Sequence, residues 1–252
     1  MGSSMAVVEY VEGEISTIQI NRPEKHNALD RQTLLSLQEK INLADSNKVC
    51  KAVVISGAGG KAFSAGADLN YLLGAESSTE AEEIFDLFYR VTNSIWSSEK
   101  IFVAAISGYC MGGGNELAIA CDFRIASPDS IFSQPEVKFG IPPGGGATYR
   151  LEKIIGLQRA RDMILTARTV SADEALRIGL IDRISHDAVS ESINFCKSAV
   201  QNAPGISYAK RSINGSIKLD QSSERSNFVK ALLGEEAKSK ISGFVKPHDN
   251  KS

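Results

Sequence analysis

Two segments of the chain are built alike: Ala52-Val53-Val54-Ile55-Ser56-Gly57 and Val103-Ala104-Ala105-Ile106-Ser107-Gly108. Each is a short unbroken run of small and β-branched apolar residues, the pattern of a buried strand, and each ends in Ser-Gly before a loop of small residues. Further strand-type segments lie at 16–21, 102–106, 123–126 and 180–184. Between them run segments with a helical period. One is opened by Asp30. A second is capped by Thr79, with Ile84, Leu87, Phe88, Val91 and Ile95 at three- and four-residue spacings, and a third runs from Ser171 through Ala175 and Ile178 to Gly179. The alternation predicts an α/β core over residues 6–200. After Pro204 the pattern is helix alone, over 206–217 and 222–244, with a break near Gly215 and a charged tail from Lys246. Residues 201–252 are therefore expected to form a helical C-terminal region, either an oligomerisation element or a lid.

Composition narrows the function classes. The 252 residues are 42% hydrophobic, 23% charged and 7% aromatic, which excludes disorder, collagen and coiled coil. With 28 Lys and Arg against 30 Asp and Glu, the net charge of -2 gives no surface-wide attraction to nucleic acid or to an anionic membrane. The longest apolar run, around Ile101 to Ile106, is far short of the roughly 20 residues of a membrane-spanning helix. No apolar leader segment follows Met1. Cys50, Cys110, Cys121 and Cys196 are far apart, without a C-x-x-C pair or metal-ligand spacing. A cytoplasmic protein with reduced thiols, without metal, nucleic-acid or membrane partners, is expected.

Small residues at a strand-to-loop corner permit close backbone approach to a ligand, so both corners are candidate sites. In the first, Gly57, Gly59 and Ala62 satisfy a dinucleotide-binding spacing, but no long helix follows directly and no acidic strand end stands about 20 residues on. The second, Gly108-Tyr109-Cys110-Met111-Gly112, fits a nucleophile elbow with Cys110 in place of serine. A thiol hydrolase would need a downstream histidine. His26 precedes the corner and His248 lies in the tail, which leaves His186.

The second corner continues as Gly112-Gly113-Gly114-Asn115-Glu116-Leu117-Ala118-Ile119-Ala120-Cys121-Asp122. A glycine run opening an apolar helix presents unpaired N–H groups at a positive dipole end, suited to a developing oxyanion. Glu116 lies one turn in, which should place its carboxylate beside those groups, and it is costly to bury there unless it has a task. The plain alternative is an acid that only complements the dipole. Glu136, in Phe132-Ser133-Gln134-Pro135-Glu136, would alone be an ordinary loop acid. Together the two make a possible acid/base pair.

With these residues in place the chain resembles the crotonase superfamily, and within it the enoyl-CoA hydratases, from about Val7 to Pro247. The resemblance is carried by Asn21-Arg22-Pro23 with Asn27-Ala28-Leu29, by Ala62 through Leu69, by Gly108 through Glu116 and by Gln134-Pro135-Glu136. Gly156-Leu157 leading to Ala160, Ala172-Asp173-Glu174-Ala175 and Gly179-Leu180-Ile181 complete it. It implies an α/β fold, a crotonase-like spiral of ββα units with a helical C-terminal trimerisation region. It also implies a homotrimer or a homohexamer built as a dimer of trimers. By position, Ala67 and Gly113 match the backbone donors of the oxyanion hole, and Glu116 and Glu136 the two catalytic glutamates. The implied reaction is reversible syn addition of water to a short- or medium-chain 2-enoyl-CoA such as crotonyl-CoA, giving 3-hydroxyacyl-CoA in fatty acid metabolism.

No cofactor is implied beyond coenzyme A, which is part of the substrate. Ala65, Ala67, Asp68, Leu69, Gly113 and Lys25 are the implied substrate-binding residues, with His26 and Lys61 as further cations for the CoA phosphates. Asp122 matches a recurrent structural acid. Ile101, in place of a common proline, and Ser239-Lys240, in place of a Glu-Gly pair, are departures that bear on trimer contacts. Within the family the alternatives are a 3-hydroxypropionyl-CoA-type dehydratase and a 3,2-enoyl-CoA isomerase. Outside it they are a Cys110 hydrolase and a non-catalytic CoA-thioester binding protein, which the retention of both glutamates disfavours.

Overall fold

The computed structural model describes residues 5–202, 205–215, 217 and 221–245; Pro204 and the tail from Lys246 lie outside the described residues. The chain opens with a hairpin, β1 (Val7–Glu12) and β2 (Ile15–Ile20), and a helix α1 (Arg31–Ser46). Three strand pairs follow, each with a helix behind it. They are β3 (Ala52–Gly57) and β4 (Ala62–Ser64) before α2 (Leu69–Leu73) and α3 (Ser78–Ser97); β5 (Ile101–Ile106) and β6 (Tyr109–Met111) before α4 (Gly113–Ala120); and β7 (Phe123–Ala126) and β8 (Ile131–Ser133) before α5 (Ala147–Ile155) and α6 (Leu157–Thr166). The chain continues through β9 (Val170–Ser171), α7 (Ala172–Ile178), β10 (Arg183–Ile184) and α8 (Ala188–Asn202). It then enters α9 (Ile206–Gly215), α10 (Ser222–Leu232) and α11 (Glu235–Val245).

The repeat is a spiral. The first strand of each pair joins one sheet, ordered β1-β2-β3-β5-β7-β10, and the second joins another, ordered β4-β6-β8-β9. Pairing within the spiral is parallel, with antiparallel contacts only at β1–β2 and β8–β9 among the described residues. The larger sheet is covered on both faces, as the unbroken apolar runs require. Val53, Ile55, Phe102, Ala104 and Ile106 face the main core with α1, α3 and α4, while Ala52, Val54, Val103 and Ala105 face Cys196 and the rest of α8.

Four expectations are corrected. The helix expected from Thr79 begins two residues earlier, because Ser77 accepts from Glu80 N and the Glu80 carboxylate accepts from Ser77 N; Thr79 and Glu82 merely share that spacing. The strand expected over 180–184 pairs only at Arg183–Ile184, since Leu180 and Ile181 form a buried turn whose carbonyl at Leu180 accepts from Arg124 Nε at 2.7 Å. The helix expected over 222–244 is two helices, α10 and α11, broken at Leu233-Gly234, where Gly234 N turns back to Ala231 O. The first corner, expected to be a loop of small residues, contains the short strand β4, which pairs with β6.

Asn27 ties the first corner together. It is fully buried at φ 56°; its Nδ2 donates to Ala58 O at 3.0 Å and Ala62 O at 2.7 Å, and its Oδ1 accepts from Arg22 N at 2.9 Å. Its carbonyl accepts from Ser64 Oγ at 2.8 Å. Two residues on, Leu29 bridges Ala67, donating to Gly66 O and accepting from Asp68 N. At the other end of the chain, Lys210 on α9 donates to Asp122 Oδ2 and Lys100 O, both at 2.7 Å, and Asp122 also accepts from Phe102 N. Asp122 is thus structural, as its position implied. Helices α10 and α11 fold back over the core, with Phe228 against Phe85 at 5.8 Å and Phe244 against Phe139 at 5.5 Å between ring centroids. We predict that Asn27→Ala, which strands the buried Ala62 carbonyl and the part-buried Ala58 carbonyl and puts alanine in the left-handed region, costs about 2–4 kcal/mol. Urea denaturation measures it, and a loss below about 1 kcal/mol would contradict this role.

Candidate active site

Helix α4 begins at Gly112, whose N–H is taken by Ser133 O at 2.9 Å on β8, so the start of the helix is pinned beside the second sheet. Gly66 (φ 96°) lies against it so closely that a Cβ there would stand 2.8 Å from Met111 O and 3.2 Å from Gly113 N. That approach brings the N–H groups of Ala67 and Gly113 together. Neither donates to an acceptor among the described residues. Two unpaired amides at the mouth of a buried helix are expensive unless a ligand oxygen uses them.

They open into a cavity of about 590 Å³. Lys25, Ala65, Ala67, Asp68, Leu69, Gly113, Glu116 and Glu136 all line it, so the residues singled out for substrate binding and catalysis converge. His26 and Lys61 do not line it, while Lys138, not singled out from the sequence, does. The carboxylate of Asp68 is also engaged structurally: it caps α2 at Asn70 N and meets Arg22 at 3.5 Å. Phe88, Leu72 and Ile141 give the cavity apolar walls, and α10 and α11 add Phe228 and Phe244.

The Glu116 carboxylate does not turn to its own helix N-terminus. Its Oε1 accepts from Gly145 N at 2.8 Å and Ala147 N at 3.0 Å, at the start of α5. Only glycine fits at 145, where a Cβ would lie 2.7 Å from Glu116 Oε2. A cation also stands near, which the sequence around Glu116 did not indicate. Arg150 is fully buried, with Nη1 on Gly145 O at 2.8 Å and the guanidinium 5.6 Å from the Trp96 ring centre. Burial raises the Glu116 carboxyl above its ordinary range, and the two amides and Arg150 oppose the rise.

Glu136 has weaker support. It opens a short 3-10 turn (Glu136–Phe139) and receives the Gln134 amide, at 3.3 and 3.5 Å, with its own backbone amide nearby; Gln134 is in turn held by Asn115 Nδ2 at 2.6 Å. Burial, and then the charge of Glu116, push Glu136 well above the usual carboxylate range. The environments therefore differ: donors favour the charged form of Glu116, while desolvation and the neighbouring charge favour the neutral form of Glu136.

The thiol hydrolase is not supported by this arrangement. Cys110 is sealed inside β6, its thiol pushed well up by burial, and His186 sits on an exposed turn after β10; neither lines the cavity. The Gly57-x-Gly59 spacing leads into β4, so it lacks the helix N-terminus a dinucleotide phosphate needs. Among the described residues, no three or more His, Cys, Asp or Glu stand together where they could hold a metal ion, and no helix is long and apolar enough to cross a membrane.

A raised carboxyl makes the native state bind a proton the unfolded chain has already lost, so stability falls as pH rises above the ordinary carboxylate range. We predict that Glu136→Gln stabilises the protein and that the gain grows from pH 5 to pH 8. Urea denaturation at the two pH values checks it, and a gain equal at both would contradict the assignment.

The chain has counterparts among known proteins. A family described as enoyl-CoA hydratase/isomerase matches residues 11–241. A short-chain-enoyl-CoA hydratase of Clostridium acetobutylicum is 36% identical over 244 residues, covering 93% of this chain and 92% of its own. A crotonyl-CoA hydratase of Syntrophomonas wolfei is 40% identical over 173 residues, covering 69% and 66%. The crystal structure of an enoyl-CoA hydratase from Bacillus halodurans superposes with a TM-score of 0.87 at 28% identity, covering 94% of this chain and 99% of that one. The chain belongs to the enoyl-CoA hydratase/isomerase family.

Proposed function

We propose that the protein is an enoyl-CoA hydratase acting on short-chain 2-enoyl-CoA thioesters. The observation that carries this reading is a pair of carboxyl groups of unequal proton affinity, Glu116 buried and Glu136 half-buried, in one cavity with two unpaired amides. The names of the relatives, which specify short-chain and crotonyl substrates, support the chain length.

The chemistry follows from the charges. With its carbonyl oxygen on the Ala67 and Gly113 N–H groups, the thioester draws electron density from Cβ. Each such donor is worth about 10² to 10³ in rate. Glu116, the carboxylate, takes a proton from water as the oxygen bonds to Cβ, and the π electrons move onto the thioester as an enolate held by the two amides. Glu136, the acid, gives its proton to Cα. The product is the 3-hydroxyacyl thioester. The cycle leaves Glu116 protonated and Glu136 ionised, so exchange of one proton between them, through solvent or product, resets the site. The reverse sequence is dehydration, so the direction in the cell is set by supply and removal.

Lys25 and Lys138 at the cavity wall are proposed to meet the CoA phosphates, with the backbone near Ala65 and Leu69 holding the adenine. A homotrimer, or a dimer of trimers, in the cytoplasm is the proposed assembly and location. Light scattering on the purified chain tests the assembly.

Hydration of crotonyl-CoA, followed as loss of the enoyl-thioester absorbance, is the test of function. Glu116→Gln and Glu136→Gln are each expected to lower kcat by about 10² or more, since each removes one proton-transfer group. A folded wild-type protein without activity on crotonyl-CoA would overturn the short-chain reading. A Glu136→Gln variant that isomerised 3-enoyl-CoA but never hydrated would be consistent with Glu116 as the base. For the wild type, kcat/KM should be bell-shaped in pH, with its acid limb above the ordinary carboxylate range, because Glu116 must be ionised and burial raises it. An acid limb at or below the range of exposed glutamate would contradict this.

A further inference from the structure

Glu224 is a buried carboxyl that the reaction above does not use. It stands on α10, 4% exposed, far in sequence from the residues it meets. Its Oε2 accepts from Thr148 N at 3.2 Å and from the Thr148 hydroxyl at shorter range, while its Oε1 is buried with no partner among the described residues. Thr148 is the second residue of α5, and the first, Ala147, gives its N–H to Glu116. Helix α5 has no cap of its own: it starts after Gly146, at φ 111°, where a side chain would run into Arg150 and Tyr149. The opening amides of one helix are therefore divided between two carboxyl groups from elsewhere in the chain, Glu116 on Gly145 and Ala147 and Glu224 on Thr148.

We propose that Glu224 is a positioning residue for Glu116: by holding Thr148 it keeps the Gly145 and Ala147 amides on the Glu116 carboxylate, and its charge acts on both catalytic carboxyls. The proposal rests on the roles given to Glu116 and Glu136 above. It makes α10 part of the reaction centre, beyond the apolar wall provided by Phe228. The groups facing Glu224 are Glu116 from α4, Thr148, Tyr149 and Arg150 from α5, and more distantly Glu136. On α3, Glu82 and Asp86 are held by the adjacent Arg225. Burial first, and then the Glu116 charge, push the Glu224 carboxyl up to about 8. Its ionisation thus adds a negative charge in the pH range where Glu136 must still hold its proton, and that charge keeps Glu136 in the acid form to higher pH.

Glu224→Gln keeps an acceptor for Thr148 and cannot ionise. The alkaline limb of kcat/KM with crotonyl-CoA is expected to move to lower pH by about half a unit or more, with the thermal midpoint within a few degrees of wild type. Thr148→Val removes the hydroxyl donor and keeps the charge. It is expected to lower kcat about three- to tenfold with KM within about twofold, because the amides on Glu116 loosen while the thioester contacts remain. A purely structural Glu224 predicts an unmoved alkaline limb in the glutamine variant, and that result overturns the proposal. The Glu136 titration can also be followed by carbon NMR on glutamate-labelled protein, which needs no turnover. An inactive wild type whose Glu136 midpoint still falls in Glu224→Gln sinks the hydratase reading alone. An active wild type with an unmoved midpoint sinks the Glu224 proposal alone.

Discussion

A carboxylate inside an apolar helix has to be held by protein donors, because water cannot reach it in number. Glu116 sits among Leu117, Ala118 and Ile119, all buried, and its charge is met by two amides from the start of α5 and by Arg150 nearby. An isolated buried charge would cost far more than a domain's net stability, so the surrounding structure is built to this requirement. The run Gly144-Gly145-Gly146 brings the amides close enough, with Phe228 packed on the first glycine and Arg150 filling the space beside the last. Glu224 completes the helix start from the other side. The solvent is replaced by fixed dipoles, which need no reorganisation when charge moves.

The same logic explains why the site lies where two sheets meet. Repetition of the strand-pair unit puts the ends of β4 and β6 side by side, and the loops after them carry Ala67 and Gly113. Two equivalent corners in successive turns of a spiral thus supply two equivalent donors. Asn27 and Leu29 hold the first corner in register, and Ser133 O on β8 holds the second through Gly112 N. The C-terminal helices then add Phe228 and Phe244 to the cavity wall, which also carries Lys25 and Lys138.

Much of this was legible in the sequence wherever the signal is local. The buried runs of β3 and β5, the Asp30 and Ser171 caps and the glycine-led start of α4 each depend on residues within one turn or one strand. The three-residue strands β4, β6 and β8 were not legible, because so short a run has no period and forms only by pairing with its neighbour in the next turn. Nor were the partners of Glu116: Gly145 and Ala147 lie 29 and 31 residues away. The carboxylate was expected to turn back on its own helix, and it instead reaches α5. Nothing local marks Arg150 or Glu224, since their burial follows from the α5 and α10 packing. The carboxyl pair and the two donors were found through small residues and the superfamily resemblance, with Glu136 gaining meaning only beside Glu116.

Desolvation and unequal hydrogen bonding give Glu136 the higher proton affinity of the pair, and the proposed division at neutral pH is an ionised Glu116 and a protonated Glu136. Infrared difference spectroscopy of the free enzyme measures this directly, through the C=O stretch of a protonated carboxylic acid at pH 7. Glu224 contributes one such band at pH 7, and the account predicts a second in the wild type, lost in Glu136→Gln and retained in Glu116→Gln. A second band that disappears in Glu116→Gln and persists in Glu136→Gln would reverse the assignment of acid and base and contradict the account.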